Sequence, residues 1–247
     1  MDPVAFNIFG VSIRWYGILI SVGMFLATYI TMKRSSKFGI HPDRILDFIL
    51  LIIPAGVIGA RLYYVAFNWD YYKGDFFKII NIRAGGLAIH GGLIAGILMA
   101  ILLCIIWNLK VLTVIDLGMP GVALAQAIGR WGNFFNKEAY GIPTDLPWAI
   151  AIEGQYVHPT FLYESLWNFG MFLFLIWFER RKKYEGQILL LYGMLYSFAR
   201  FFIEGLRTDS LMMGEFRVAQ LMSAAVFAVC FLLLAVKRRR HKNNIFR

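Results

Sequence analysis

Long apolar runs separated by short charged clusters set the architecture of this chain. About 20 apolar residues cross a bilayer, and reading at that length predicts seven spans, near 15–32, 46–67, 86–107, 111–131, 160–178, 187–204 and 217–236. The fourth and sixth are the least apolar. Seven helices with short turns consume most of the chain, so the pattern predicts an all-α integral membrane protein built as a single polytopic domain over residues 1–247. The stretch at about 132–159 remains as a small external head. No linker, low-complexity tract or internal repeat is evident.

Composition agrees: 59% of residues are hydrophobic and only 16% charged, with a mean hydropathy of +0.62, so rules for soluble cores do not apply. Basic residues give the orientation. Lys33, Arg34, Lys37 and Arg44 follow the first span, Lys110 the third and Arg180 to Lys183 the fifth, while Lys237 to Arg240, Lys242 and Arg247 close the chain. The positive-inside rule then predicts the amino terminus outside and the carboxyl terminus in the cytoplasm. These loops explain the net charge of +10, which reads as juxtamembrane charge near anionic lipid rather than a nucleic-acid site. Met1 to Ile13 contains Asp2 and no lysine or arginine, unlike a secretory signal, so the first span is expected to stay as an anchor. Cys104 and Cys230 fall within the third and seventh spans and read as packing residues. No cysteine or histidine lies at ligand spacing from either.

With that topology drawn, polar residues in or beside the spans gather in the outer half. Arg14 and Tyr16 open the first span, Arg61 and Tyr63 lie near the outer end of the second, and His90 lies just inside the third. Arg130 and Asn133 end the fourth, His158, Tyr163 and Glu164 begin the fifth, and Arg200 and Glu204 end the sixth. A charge at membrane depth costs roughly 3 kcal/mol on insertion scales, so a one-sided set points to one site on the outer face. Interface anchoring accounts for Arg14, Trp15 and Trp69, but poorly for Arg130, Arg200 and His90.

Tyr196, Arg200 and Glu204 are spaced by four and form one helical stripe, which Arg207 continues. An Arg200–Glu204 pair would bury both charges and leave another face of the guanidinium for phosphate oxygens. Gly129 and Gly132 flank Arg130, an arrangement that can leave regular helix and aim backbone amides at an anion. Gly56 and Gly59, and Gly91, Gly92 and Gly96, read as points of close helix packing.

The stretch Gly129-Arg130-Trp131-Gly132-Asn133-Phe134-Phe135-Asn136-Lys137-Glu138-Ala139-Tyr140-Gly141 ends an apolar run with an arginine, two carboxamides and a carboxylate. It resembles the signature of the bacterial phosphatidylglycerol:prolipoprotein diacylglyceryl transferases. Arg14-Trp15-Tyr16-Gly17, Ala88-Ile89-His90-Gly91-Gly92, His158-Pro159-Thr160-Phe161-Leu162-Tyr163-Glu164 and Arg200-Phe201-Phe202-Ile203-Glu204 are similar to the family's further motifs, in its order. Five ordered motifs on seven spans are specific where a lone His-Gly-Gly would not be. The chain departs from the family in being short and in carrying Thr113 where some members have asparagine.

The resemblance implies a multi-pass protein of the bacterial cytoplasmic (inner) membrane, with its active site toward the outer leaflet. Its partners would be phosphatidylglycerol and the lipobox peptides of prolipoproteins. The diacylglyceryl group moves to the cysteine thiol as a thioether, and glycerol phosphate leaves. Arg130 and Arg200 are expected to hold the phosphate and stabilise the charge it gains. His90 is the candidate base for the thiol, or a structural residue held by a hydrogen bond. Tyr16, Asn133, Asn136, Glu138 and Gly141 would shape the substrate site, with Tyr196 and Glu204 beside Arg200; Glu138 could pair with an arginine, and His158 with Pro159 could instead cap the fifth helix. No cofactor and no metal site is expected, because His41, His90, His158 and His241 fall on different elements.

The rival reading is a transporter for a small anionic solute, whose site would lie near the midplane between repeated halves. A retinal protein would need a lysine in the last span, and Arg217 to Val236 has none. An intramembrane protease would need a His-Glu-x-x-His helix or a Gly-x-Ser-x-Gly elbow, and neither is present.

Overall fold

The computed structural model describes residues 2–82, 85–152 and 154–245. Met1 and Arg247, both used in the sequence reading above, lie outside the described residues. The chain opens with a hairpin, β1 (Val4–Ile8) and β2 (Val11–Arg14). Its two-residue turn places both Phe9 (φ 48°) and Gly10 (φ 79°) in the left-handed region, the geometry that matches strand twist. Then come α1 (Trp15–Ser35), a 3₁₀ turn at Ser36–Phe38, and α2 (Pro42–Phe67). Two short helices, α3 (Trp69–Tyr72) and α4 (Phe76–Ile80), lead to α5 (Ile89–Ile106) and α6 (Val111–Asn136). A second ribbon, β3 (Ile150–Ile152) with β4 (Gln155–Val157), precedes α7 (Thr160–Glu179) and α8 (Gln187–Leu206). A third, β5 (Met212–Met213) with β6 (Phe216–Arg217), leads into α9 (Val218–Ile245).

Seven of these helices are long and apolar enough to cross a membrane, in agreement with the seven spans read from the sequence. Boundary differences fall at charged ends, the largest in the last span, which continues as α9 through the basic tail to Ile245 instead of stopping near 236. Helix α2 starts at Pro42, not near 46, because His41 accepts a hydrogen bond from the Asp43 amide at 3.4 Å and Pro42 occupies the first helical position. Helix α6 runs on to Asn136. It stops where Lys137 (φ 53°) and Ala139 (φ 56°) turn left-handed.

The chain separates into two compact units, one of Met1–Thr31 with Ile115–Arg247 and the other of Met32–Val114. In the second unit, α2 and α5 meet through their glycines. A β-carbon on Gly59 would lie 2.2 Å from the Ala95 β-carbon, and one on Gly91 would lie 2.3 Å from that of Tyr63. Close approach is therefore what these glycines provide. Phe48, Leu103 and Cys104 form a buried cluster here.

Arg61 is 5% exposed, and its guanidinium is spent on backbone. It donates to the carbonyls of Ile79 (2.8 Å), Gly85 (2.7 Å), Gly86 (2.9 Å), Lys78 (2.6 Å) and Asn81 (3.1 Å), and lies over the Tyr72 ring at 4.9 Å. Those five bonds use every donor nitrogen it has. The sequence reading that grouped Arg61 with a ligand site is corrected: it staples the segment that precedes α5.

In the first unit, Ala123, Met171, Leu175 and Ile188 form a buried core of α6, α7 and α8 residues. Trp131 donates to Ser165 Oγ at 3.1 Å, and Ser165 donates to the Ala127 carbonyl at 2.8 Å, tying α6 to α7. The start of α8 has no cap of its own, since Gly186 precedes it. Asp116 of α6, fully buried, supplies one: its carboxylate accepts from the Gly186 amide (2.8 Å) and the Leu189 amide (2.9 Å) and pairs with Lys182 (2.9 Å). A carboxylate at a helix amino terminus satisfies orphan amides and opposes the helix dipole.

Candidate active site

Three helices of the first unit bring four charges together. Arg130 comes from the penultimate turn of α6, Glu164 from the first turns of α7, and Arg200 and Glu204 from the last turns of α8. Glu164 sits at the centre. Its Oε2 pairs with Nε of Arg130 and its Oε1 accepts from Nη1 of Arg200 at 2.7 Å. Nη2 of Arg200 lies 2.5 Å from Oε2 of Glu204, so the stripe read on the sixth span is an ion pair. That second contact is charge against charge, because Glu204 Oε2 makes no well-aligned hydrogen bond.

The carboxylates are more deeply buried than the guanidinium groups. Glu164 and Glu204 side chains are 7% and 3% exposed, Arg130 and Arg200 22% and 20%. Each arginine thus keeps a face toward open space while its carboxylate partner lies behind it. Among the described residues Arg130 makes no hydrogen bond at its two terminal nitrogens, and its closest contact with Glu164 is through Nε. That pair of parallel donors is the geometry that grips two oxygens of one phosphate. Tyr196, Trp167 and Asn168 close a small crevice beside Glu164 and Arg200, and Tyr196 stacks on Tyr192 with ring centroids 5.8 Å apart.

A second polar group lies at the end of α6. Asn133 and Asn136 both donate to Glu138 Oε1, at 2.9 and 3.3 Å. Glu138 therefore pairs with the carboxamides and not with an arginine, as the sequence had allowed; Glu164 takes that place. The Asn136 carbonyl oxygen is buried without a hydrogen-bond partner among the described residues. Sequence spacing missed the bridging role of Glu164 because the contact crosses helices. The signal available was a carboxylate on an otherwise apolar span.

Gly132 explains itself sterically. A β-carbon there would lie 2.2 Å from Cδ2 of Tyr16, and α6 is unbroken through Gly129 and Gly132. The expectation that these glycines unwind the helix around Arg130 is corrected: one of them makes room for the Tyr16 ring. Trp15 stacks on Phe135 at 5.1 Å, holding the start of α1 against the same face. Gly141 is equally crowded, with a β-carbon placed 2.6 Å from that of His158 and 3.1 Å from the Leu206 carbonyl. Its amide donates to the His158 carbonyl at 3.0 Å and the next amide to Leu206 at 2.8 Å. This turn thereby joins the starts and ends of the helices that carry Glu164 and Glu204.

His158 does not cap α7. Its Nδ1 lies 3.1 Å from the Tyr163 hydroxyl, which also accepts from Trp148 at 2.8 Å, and no side chain caps that helix. Arg207 leaves the stripe, because the helix ends at Leu206 and Arg207 is extended. It forms a two-bond clamp on Asp209 at 2.8 and 2.6 Å, whose hydrogen bond holds the Asp209 carboxyl below the usual carboxylate range. Arg217 reaches back to the Glu204 carbonyl.

His90 belongs to the second unit, in the first turn of α5. It is exposed, and its ring faces that of Tyr63 at 6.4 Å. It has no hydrogen-bond partner among the described residues, so the structure offers no support for a bond that pins it in place. Also among the described residues, no three histidine, cysteine, aspartate or glutamate side chains gather in a way that could hold a metal ion.

Comparison with known proteins gives consistent results. The family model for prolipoprotein diacylglyceryl transferase matches residues 3–236. The phosphatidylglycerol–prolipoprotein diacylglyceryl transferase of Clostridioides difficile is 51% identical over 99% of both chains. The Finegoldia magna enzyme of the same name is 52% identical over 97% of both. That of Thermosynechococcus vestitus is 43% identical over 89% of this chain and 86% of its own. With its arginine–glutamate network on three apolar helices and a match along nearly its whole length, the chain belongs to the prolipoprotein diacylglyceryl transferase family.

Proposed function

We propose that the Arg130–Glu164–Arg200–Glu204 network holds the phosphate of phosphatidylglycerol while its diacylglyceryl group moves to the lipobox cysteine of a prolipoprotein. The enzyme is a multi-pass transferase of the bacterial inner membrane, and these residues are the parts of it that meet the lipid. The observation that carries the reading is that Arg130 meets Glu164 through Nε and spends no hydrogen bond at its two terminal nitrogens.

In the reaction, a cysteine thiolate attacks the diacylglyceryl carbon bonded to the phosphate oxygen. A carbon–sulfur bond forms, that carbon–oxygen bond breaks, and glycerol phosphate departs with one more negative charge. Preorganised donors around such a charge contribute a few kcal/mol each. Arg130 grips two phosphate oxygens; Arg200, tethered to both carboxylates, supplies positive field and its remaining donor. Asn133, Asn136 and Glu138 provide carbonyl and carboxylate acceptors, including the unpartnered Asn136 oxygen, for the hydroxyls of the glycerol headgroup. Tyr16 and Gly141 shape the walls, and Tyr196 packs beside Arg200.

A free cysteine has a pKa near 8.5 and is a minor thiolate at neutral pH. His90 takes the thiol proton. Its ring is exposed and an imidazole is the usual acceptor for such a proton. The seven helices act as one polytopic domain, with the amino terminus outside, the carboxyl terminus in the cytoplasm and residues 132–159 as a small external head, following the positive charges. The site then faces the outer leaflet.

The direct test combines purified protein, phosphatidylglycerol vesicles and a synthetic lipobox peptide, followed by mass spectrometry. A diacylglyceryl mass on the cysteine thiol and release of glycerol phosphate are the expected result. Unmodified peptide together with solute flux across the vesicle would turn the assignment toward transport.

A further inference from the structure

A cavity of about 530 Å³ opens in the first unit among α7, α8 and α9, lined in part by Leu191, Met194, Phe231 and Leu234. It belongs to the other end of α8 from the charge network. Gln187, which also lines it, precedes Arg200 by thirteen residues, roughly 20 Å of helix rise. On one side α8 and α9 touch: a β-carbon on Gly193 would lie 2.8 Å from Sγ of Cys230. On the other side Arg238 and Arg239 stand at the opening.

The chemistry along this cavity changes with depth. Its walls are apolar for the first turns, and the polar groups are confined to one end. Helix α9 begins at Val218, so about 20 residues, or roughly 30 Å of rise, bring it across the hydrocarbon to Lys237. Arg238 and Arg239 then fall at headgroup level, where a phosphate would be. Both are exposed, and neither has a hydrogen bond or ion pair among the described residues. Lys237 instead reaches the Glu185 carbonyl at 3.3 Å, which ties α9 to the segment before α8. Gln187 spends its carbonyl oxygen on the Lys183 amide at 2.8 Å and keeps its amide hydrogens for an acceptor.

We propose that this cavity is a structural binding site for one anionic phospholipid, separate from the lipid that reacts. An acyl chain lies between α8 and α9 with its end toward the Gly193–Cys230 crossing, and the phosphate rests on Arg238 and Arg239. An unpaired double cation at the mouth of an apolar slot selects net negative charge, which a chain-only contact with bulk lipid would not. With the carboxyl terminus in the cytoplasm, the occupant comes from the inner leaflet; the binding itself does not depend on that orientation.

Two kinds of variant separate charge from shape. Arg238→Ala with Arg239→Ala removes the cations, and Leu191→Trp fills the slot while keeping them. Lipid retention is read by native mass spectrometry of delipidated protein titrated with phosphatidylserine, then with phosphatidylcholine, and Arg200→Ala serves as the marker for the catalytic lipid. Each basic residue near such a phosphate is worth about a fivefold change, so the double variant should weaken phosphatidylserine retention by about 30-fold. Leu191→Trp should lose the same bound lipid, phosphatidylcholine should bind wild type weakly, and Arg200→Ala should leave this lipid in place.

Loss in the charge variant with full retention in Leu191→Trp would reduce the effect to diffuse attraction by the basic tail and overturn the site. Equal retention of both lipids, or no change in either variant, would overturn it as well. Loss of this lipid in Arg200→Ala would merge the site with the catalytic one. Size-exclusion behaviour and peptide modification by each variant report folding separately. Leu234→Trp repeats the shape test if Leu191→Trp does not fold.

Discussion

Glu164 Oε1 accepts a hydrogen bond from Arg200 Nη1 at 2.7 Å while the other oxygen of the same carboxylate pairs with Arg130. One carboxylate from α7 thus sets the direction of two guanidinium groups from α6 and α8. It also offsets a repulsion that two adjacent cations would otherwise exert at membrane depth. Each member of this set is expected to fail in its own way.

Glu164→Gln keeps the shape and removes the charge. Breaking a buried pair by removing one partner typically costs about 3–5 kcal/mol, and here it frees two arginines at once. Transfer is expected to fall by at least 100-fold with a lower melting temperature. A cycle of Glu164→Gln with Arg130→Ala should be strongly non-additive. Additive losses measured by peptide mass spectrometry would separate the two residues.

Arg130→Lys and Arg200→Lys are expected to differ. A lysine keeps the charge but offers no planar fork, so Arg130→Lys should lose about 100-fold or more in kcat/KM, the scale of one misplaced transition-state donor. Arg200→Lys should lose more of its stability and keep more of its turnover, because Arg200 is tied to two carboxylates. Rates compared with detergent melting curves check the split. Wild-type rates in correctly inserted Arg130→Lys would remove the two-bond grip.

Gly132→Ala places a β-carbon against the Tyr16 ring. Overpacking of this kind costs about 1–3 kcal/mol, and the ring is expected to move away from the site. Activity and stability should both fall, and Tyr16→Ala in the same chain should restore stability but not transfer. Thermal melting and initial rates distinguish the two effects. Unchanged stability in Gly132→Ala would show that Tyr16 has room to move.

His90→Gln tests the proton acceptor. Transfer at neutral pH should be crippled and should partly recover as pH approaches the cysteine's own value near 8.5, where the substrate ionises unaided. Initial rate against pH at saturating peptide gives the comparison. A mutant with the wild-type rate and profile would leave the arginine field to lower the thiol pKa alone.

Activity is also expected to survive chelation. No metal enters the proposed steps, which rely on guanidinium groups and one imidazole. Loss with EDTA and recovery with a divalent ion, read in the same peptide assay, would add a cation to the mechanism.

Much of this was legible from residues alone, for identifiable reasons. Hydropathy reports the bilayer, so the seven spans came through with most ends close to where the helices stop. It does not report hydrogen bonding, and the fourth span was therefore ended at Trp131 although the α6 backbone stays helical to Asn136. Local spacing showed the Arg200–Glu204 pair because both lie on one helix. The Glu164 bridge is set by how α6, α7 and α8 pack, which no single-helix period encodes. Arg61 resembled a ligand residue in sequence for the same reason: only folding reveals that five carbonyls surround it.

Asp116 accepts two backbone amides at the start of α8, and its grip has a reach longer than its bonds. An apolar helix in lipid slides along its neighbours at little cost, since one methyl contact replaces another. Pinning its first turn to a buried charge removes that freedom. A slip of one residue would shift Arg200 by about 1.5 Å and turn it by about 100°, enough to point it away from Glu164. The register of the Arg200–Glu204 end is therefore set at the far end of the helix, much as a ruler is read correctly only when its zero is fixed.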